Sequence, residues 1–194
     1  MGSSEEQEEI LSGALFVSGR SASAWNLEKW KAQEQGRPGG RGHTTRLYFD
    51  TSVLGALTDR GEKHRLDLTR ALLRDAANGV HIGIVSNIVN EELEQASADV
   101  RKIIREGLQS VEFEVVVEDE ESRVLFGEYI AARIVPVRYR DDLRHVAVAT
   151  VARVDALVSW NFRHLVNVST RRAVHAVNIR LGYPMIEIVS PEEV

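Results

Sequence analysis

From about residue 46 onward, two hydrophobic patterns take turns along the chain. Short apolar runs bounded by polar or glycine residues are typical of buried strands, and apolar positions spaced three and four apart are typical of helices. The strand-like runs cover residues 47–49, 80–85, 111–117, 156–158 and 185–189. Helical stripes separate them, among them 120–134 and 143–151. This alternation predicts an α/β domain with a mostly parallel sheet covered by helices on both faces.

Residues 1–45 have a different character. They are rich in Gly, Ser, Glu and Gln and end in a Gly-rich, Pro-containing stretch at 36–43. This composition predicts a flexible N-terminal extension in front of a domain that covers residues 46–194. Within the extension, segments 10–17 and 24–31 have helical potential.

Composition excludes several classes of site. The sequence contains no cysteine, which excludes disulfides, thiolate zinc sites and cysteine nucleophiles, and which fits a cytoplasmic protein. No apolar run approaches the ~20 residues of a membrane span, so we expect no membrane partner. The formal charge of −5 opposes a general affinity for phosphates. Any nucleic-acid surface is therefore expected to be local.

Three carboxylates lie where a predicted strand passes into a helix. Asp50 ends the run 47–49, Glu92 follows the next strand, and Asp142 opens the helix before 156–158. Ligands of parallel α/β sheets collect at the carboxyl ends of the strands, so we expect these acids to gather there. Clustered carboxylates need a compensating cation, and their hard oxygens suit Mg²⁺ or Mn²⁺. The spacing therefore predicts a metal-dependent phosphodiester hydrolase.

Each candidate also has an ordinary structural role. Asp50 and Asn161, which follows the run 156–158, could be helix N-caps, and Glu92 could be a surface residue beside an apolar stripe. Either Asp141 or Asp142 could cap the helix that they open. We favour Asp142 as the ligand because it lies one turn before the buried stripe.

Further polar residues near these positions are candidates for supporting roles. Thr51 or Ser52 could cap the helix and leave the preceding carboxylate free. His145 could contact Asp142 or the substrate, or be an ordinary helix histidine, and Trp160 could stack on a base or simply pack. Candidate phosphate contacts are Arg163, His164, Arg171 and Arg172.

Four segments resemble the motifs of one nuclease family. Residues 48–54, 86–93 and 141–149 are similar to the three acidic motifs of PIN-domain nucleases, and 158–167 resembles the fourth. The similarity covers residues 46–190 and is greatest to the bacterial and archaeal branch that includes VapC-type toxins. It implies a PIN-like three-layer fold, a Mg²⁺ or Mn²⁺ cofactor and endonucleolytic cleavage of single-stranded or structured RNA. It also implies a homodimer that is held in check by an antitoxin.

The resemblance also assigns roles to individual residues. It implies that Asp50, Glu92 and Asp142 are the metal ligands, and that Thr51 or Ser52 supplies a hydroxyl beside the first acid. The fourth position, where the family frequently has Asp, is Asn161 here, so a second metal ion lacks one negative charge.

Other functions remain open at this stage. The loss of one acid and the negative net charge favour a catalytically degraded RNA- or protein-binding module. A phosphoaspartyl phosphatase would need a second Asp at position 52, and a receiver domain would need a lysine near position 161.

Overall fold

The computed structural model describes residues 44–194, which form an α/β fold around one parallel sheet. All strand pairs are parallel, and the order across the sheet is β3-β2-β1-β4-β5. The strands are β1 (Thr45–Phe49), β2 (His81–Ser86), β3 (Glu114–Val116), β4 (Ala156–Val158) and β5 (Glu187–Val189).

Seven α-helices connect and cover these strands in the described part of the chain. They are α1 (Thr51–Gly55), α2 (Lys63–Ala77), α3 (Asn87–Glu94), α4 (Ala98–Leu108), α5 (Glu120–Ala131), α6 (Asp142–Val151) and α7 (Val168–Leu181). Two short 3₁₀ helices lie at Ala56–Thr58 and Val137–Tyr139.

The central strand β1 shows why helices cover both faces of the sheet. Leu47 and Phe49 enter one hydrophobic cluster with residues of α1 to α4, and Tyr48 enters another with residues of α5 to α7. Successive side chains of a strand point to opposite faces, so an apolar strand needs a helical layer on each side. The predicted three-layer α/β architecture is therefore confirmed.

Several element boundaries differ from the prediction, and two of the differences have a clear physical reason. The predicted strand at 111–117 is reduced to β3, which is an edge strand that pairs only with β2 among the described strands. Val111 and Phe113 pack against the core outside that ladder, so their alternation reports burial without pairing. The helix predicted to reach 134 ends at Ala131, and Arg133 follows with a φ of 52°. A left-handed residue cannot continue a right-handed helix.

The predicted domain starts close to the first strand. β1 begins at Thr45, one residue before the predicted start at 46. Residues 1–43 of the proposed extension 1–45, with its segments 10–17 and 24–31, lie outside the described residues. No helix between residues 44 and 194 combines the length and the apolarity that crossing a membrane requires.

Candidate active site

Four polar residues lie at the carboxyl ends of the central strands. Asp50 follows β1, Glu92 lies in α3 directly after β2, and Asn161 lies three residues after β4. Asp142 is the first residue of α6, and its side chain contacts that of Asn161. Because the strands are parallel, these ends lie at one edge of the sheet, where α/β folds bind ligands.

Asp50 is buried and caps the helix that it precedes. Its Oδ1 accepts hydrogen bonds from the Ser52 hydroxyl at 2.6 Å and from the Val53 amide at 3.1 Å. Burial raises the pKa of the Asp50 carboxyl, although the charge of His145 and the hydroxyls of Ser159 and Ser52 oppose the rise. The side chain is thus a helix cap and also a carboxylate whose charge is only partly compensated.

Glu92 is half-buried and is held by two donors on one oxygen. Its Oε2 accepts a short hydrogen bond from the Thr51 hydroxyl, and Nε2 of His145 lies 3.3 Å away. Burial alone would raise the pKa of Glu92. The hydrogen bond and the charge of His145 oppose this effect, as do the hydrogen bond from Thr51 and the charge of Arg144. Together they bring the pKa of Glu92 below its usual value. Glu92 therefore remains an anion at the edge of the sheet.

Asp142 and Asn161 form a direct side-chain pair. The amide Nδ2 of Asn161 donates to Oδ2 of Asp142 at 2.7 Å, and its Oδ1 accepts from the His164 amide at 3.0 Å. Burial raises the pKa of Asp142; the Asn161 bond opposes this effect and the charge of Asp50 adds to it. Asp141, at the N-cap of α6, makes no side-chain capping bond.

Ser52 and Ser159 join the loops after β1 and β4. The Ser52 hydroxyl accepts from the Trp160 amide at 2.8 Å and lies 3.3 Å from the Ser159 hydroxyl, which accepts from the Asn161 amide at 2.9 Å. Sequence reasoning missed Ser159, although a polar residue directly after an apolar strand was the available signal. These contacts fix the loop that carries Asn161 against the loop that carries Asp50.

Trp160 packs inside the protein. Its ring is buried, its Nε1 donates to the Thr69 hydroxyl at 3.0 Å, and the Arg65 guanidinium lies 5.2 Å from the ring centroid. Of the two roles predicted for this residue, the structure shows packing against α2. The ring therefore anchors the loop that carries Asn161 to α2.

His145 lies in α6 with its ring buried among polar partners. Its Nδ1 is 2.7 Å from the Tyr48 hydroxyl, which is also 2.6 Å from the Ser86 hydroxyl. The sequence prediction placed His145 near Asp142 or the substrate, whereas its hydrogen bonds run to Tyr48 and Glu92. Sequence reasoning missed Tyr48, although a phenol inside an apolar strand must find a polar partner.

The basic candidates differ in their exposure and partners. Arg163 and Arg172 are exposed, whereas Arg171 pairs with the Glu193 carboxylate at 2.9 Å. His164 stacks on the Tyr139 ring with centroids 3.5 Å apart. Two exposed cations thus remain as candidate phosphate contacts.

The three carboxylates share one electrostatic environment. The charge of His145 lowers the pKa of Asp50, Glu92 and Asp142 alike, and the charge of Asp50 raises the pKa of Asp142. The hydrogen bonds described above use a single oxygen of each carboxylate. The chain therefore brings three acids from distant segments into the electrostatic range of His145 at one sheet edge, and Asp50 and Asp142 into the range of each other.

The chemistry of the donors fits a hard divalent cation. Three carboxylates and one amide supply oxygen ligands of the kind that Mg²⁺ and Mn²⁺ prefer. Burial raises the pKa of both Asp50 and Asp142, and the charge of Asp50 raises that of Asp142 further. A bound cation would oppose these effects because it favours the ionised form of each carboxyl. Between residues 44 and 194, no three His, Cys, Asp or Glu side chains form a ready-made group for a metal ion. Binding by these residues would thus require their side chains to move.

Comparison with known proteins adds no relative. The sequence matches no model of a protein family, and a search of curated proteins finds none with significant similarity.

Proposed function

We propose that this chain is a divalent-metal-dependent endoribonuclease that hydrolyses phosphodiester bonds in RNA. The observation that carries the proposal is the position of Asp50, Glu92 and Asp142 at the carboxyl edge of one parallel sheet, where Nε2 of the buried His145 lies 3.3 Å from Glu92. Buried carboxylates with perturbed pKa values at the ligand-binding edge of an α/β sheet are typical of functional sites. The resemblance of their segments to PIN-domain nucleases supplies the reaction class.

Each residue has a defined task in this proposal. Asp50, Glu92 and Asp142 would hold Mg²⁺ or Mn²⁺ directly or through water. The bound ion would supply Lewis acidity towards the scissile phosphate and the attacking water. Thr51 orients the Glu92 carboxylate, Ser52 orients that of Asp50, and Asn161 orients that of Asp142. These partners fix the carboxylates as outer-sphere hydrogen bonds do in metal sites.

RNA as the substrate requires a local cationic surface on an acidic protein. The exposed Arg163 lies two residues after Asn161 and is the nearest candidate along the chain, and Arg172 is also exposed. Together with the VapC-like resemblance, these residues support RNA as substrate and a cytoplasmic toxin of a toxin–antitoxin pair acting as a homodimer. We include the dimer and the antitoxin partner in the proposal on that resemblance alone.

Cleavage assays test the proposal directly. Purified protein is incubated with total RNA in the presence of Mn²⁺, with chelator, and as the Asp50→Asn variant. We expect discrete fragments only from the parent with Mn²⁺, because Asp50→Asn keeps the capping oxygen but removes the anionic ligand. Equal cleavage by Asp50→Asn, or cleavage that survives the chelator, contradicts the assignment.

A binding module with an inactive site is the second candidate. Two properties of Asn161 favour this candidate. Its amide carries no charge, and it donates a hydrogen bond of 2.7 Å to Oδ2 of Asp142, which a metal ion would otherwise use. Calorimetric titration with Mn²⁺ separates the two functions. The ribonuclease proposal requires binding by the parent that Asp142→Ala weakens, and the module requires RNA binding without any Mn²⁺ binding.

A further inference from the structure

A continuous line of hydrogen bonds runs from the core of the sheet to Glu92. The Ser86 hydroxyl is 2.6 Å from the Tyr48 hydroxyl, which is 2.7 Å from Nδ1 of His145, whose Nε2 is 3.3 Å from Oε2 of Glu92. Ser86 and Tyr48 have no exposed surface, and His145 is 3% exposed. Bulk water therefore does not compete for the two inner bonds, Ser86–Tyr48 and Tyr48–His145.

Glu92, at the end of this line, determines which partner donates in each hydrogen bond. The Glu92 carboxylate can only accept, so Nε2 of His145 must donate to its Oε2. An imidazolium would donate from both nitrogens, whereas in a neutral ring Nδ1 is then an acceptor and the Tyr48 hydroxyl donates to it. The Tyr48 oxygen accepts in turn from Ser86, whose side chain makes no capping bond to α3.

We propose that Tyr48 and His145 are positioning residues for Glu92. The phenol holds the imidazole in the tautomer with hydrogen on Nε2, and that N–H holds the Glu92 carboxylate with its other oxygen free for a divalent cation. This inference rests on the proposed function for its purpose, but not for its geometry. Histidines and carboxylates at metal sites are commonly oriented by such outer partners, whose loss weakens metal binding about 10- to 100-fold.

The tautomer of His145 can be measured in the metal-free protein, so the result does not depend on catalysis. Two-bond ¹⁵N–¹H correlation spectra of ¹⁵N-histidine-labelled protein distinguish the two neutral tautomers of each ring. We expect the Nε2–H pattern for His145 in the parent, and a change in that signal in Tyr48→Phe. An Nδ1–H pattern, or a ring protonated on both nitrogens, in the parent overturns the proposal.

Tyr129→Phe is the matched control. Tyr129 is a second fully buried tyrosine, and its hydroxyl bonds Asn178 at 2.6 Å and Thr150 at 3.3 Å, away from His145. Both variants remove one buried hydroxyl, so both should lose stability. Only Tyr48→Phe should shift the His145 signal and weaken Mn²⁺ binding about tenfold. Equal Mn²⁺ affinity in the two variants overturns the positioning role.

Substitutions of the histidine complete the test. The amide of His145→Gln can still donate from its Nε2 towards Glu92, whereas His145→Ala leaves no donor. We expect Mn²⁺ affinity within about threefold of the parent for His145→Gln and a loss of tenfold or more for His145→Ala. Equal losses in both variants overturn the proposal. A parent that binds no Mn²⁺ contradicts the ribonuclease assignment, and the tautomer spectra then decide the hydrogen-bond direction separately.

Discussion

The side-chain amide of Asn161 donates a hydrogen bond of 2.7 Å to the carboxylate of Asp142. The two residues are 19 positions apart, one at the start of α6 and the other after β4. The amide satisfies one oxygen of a carboxylate whose pKa is raised by burial and by Asp50. A neutral donor here stabilises the anion of Asp142 in the absence of a cation.

Replacing that amide with an acid should make stability depend on metal. In Asn161→Asp, a second carboxylate would face Asp142, and without metal we expect a loss of about 1 to 3 kcal/mol in the free energy of unfolding. Mn²⁺ should increase the free energy of unfolding of this variant more than that of the parent, because the variant has one more carboxylate to bind the ion. Urea unfolding with and without Mn²⁺ measures both effects. A metal-free variant as stable as the parent contradicts this reading of the pair.

Adjacent aspartates allow a sharp test of the ligand assignment. Asp142→Asn should lower RNA cleavage by on the order of a hundredfold or more, because it removes a charged ligand while an amide oxygen can still accept from Asn161. Asp141→Asn changes a side chain that is 72% exposed and should stay within about twofold of the parent. Initial cleavage rates at saturating Mn²⁺ provide the comparison. Similar losses in the two variants would remove Asp142 from the ligand set.

The buried Asp50 gives the stability of the metal-free protein a pH dependence. Its pKa is raised from 3.8 in the fold, so the folded state binds a proton more readily than the unfolded chain does. This contribution is fully present below 3.8 and is lost as the pH rises through the folded pKa. At pH 7 without metal, Asp50→Asn should therefore be more stable than the parent, and its advantage should vanish at low pH.

Thermal unfolding across a pH series with chelator measures this difference. The exposed Asp67 supplies the control, since Asp67→Asn should follow the parent curve at each pH. Added Mn²⁺ should raise the midpoint of the parent more than that of Asp50→Asn. A metal-free Asp50→Asn that is less stable than the parent at pH 7 would show that the carboxylate is better compensated than its surroundings indicate.

We expect a side chain at Gly83 to lower the free energy of unfolding. A Cβ at this position of β2 would lie 3.0 Å from the Cδ1 and Cε1 atoms of Phe113, whose ring packs edge-on against Phe49 with centroids 5.9 Å apart. Gly83→Ala should lose about 1 to 3 kcal/mol of unfolding free energy through overpacking. Gly55→Ala in α1 meets no atom within 4 Å and should be neutral or stabilising by up to about 1 kcal/mol. Urea midpoints compare the two.

The sequence predicts the architecture well because strand and helix patterns are local. The apolar run Leu47 to Phe49, closed by Asp50, marks the end of β1 from four adjacent letters. Edge strand β3 is harder to predict because alternation in a sequence reports which side chains are buried, not which backbone groups pair. Phe113 is partly buried against the core but lies outside the ladder.

The partners of the site residues could not be predicted from local pattern. The Tyr48–His145 hydrogen bond joins residues 97 positions apart, and the Thr51–Glu92 bond joins residues 41 apart. Strand ends indicate that acids gather at one edge, but the rotamer of each side chain depends on the packing of neighbouring helices. The sequence therefore predicts candidate acids, and only coordinates identify the donors that hold them.

The position of β1 between β2 and β4 has a consequence for synthesis of the protein. Its partner β4 begins 109 residues after Leu47, with which Ala156 is in register. At about 5–20 residues per second, a ribosome needs roughly 5 to 20 s to add that length. During this interval one edge of an apolar strand has no partner, and such edges promote pairing between chains. Nascent chains should therefore need protection by a chaperone until β4 emerges.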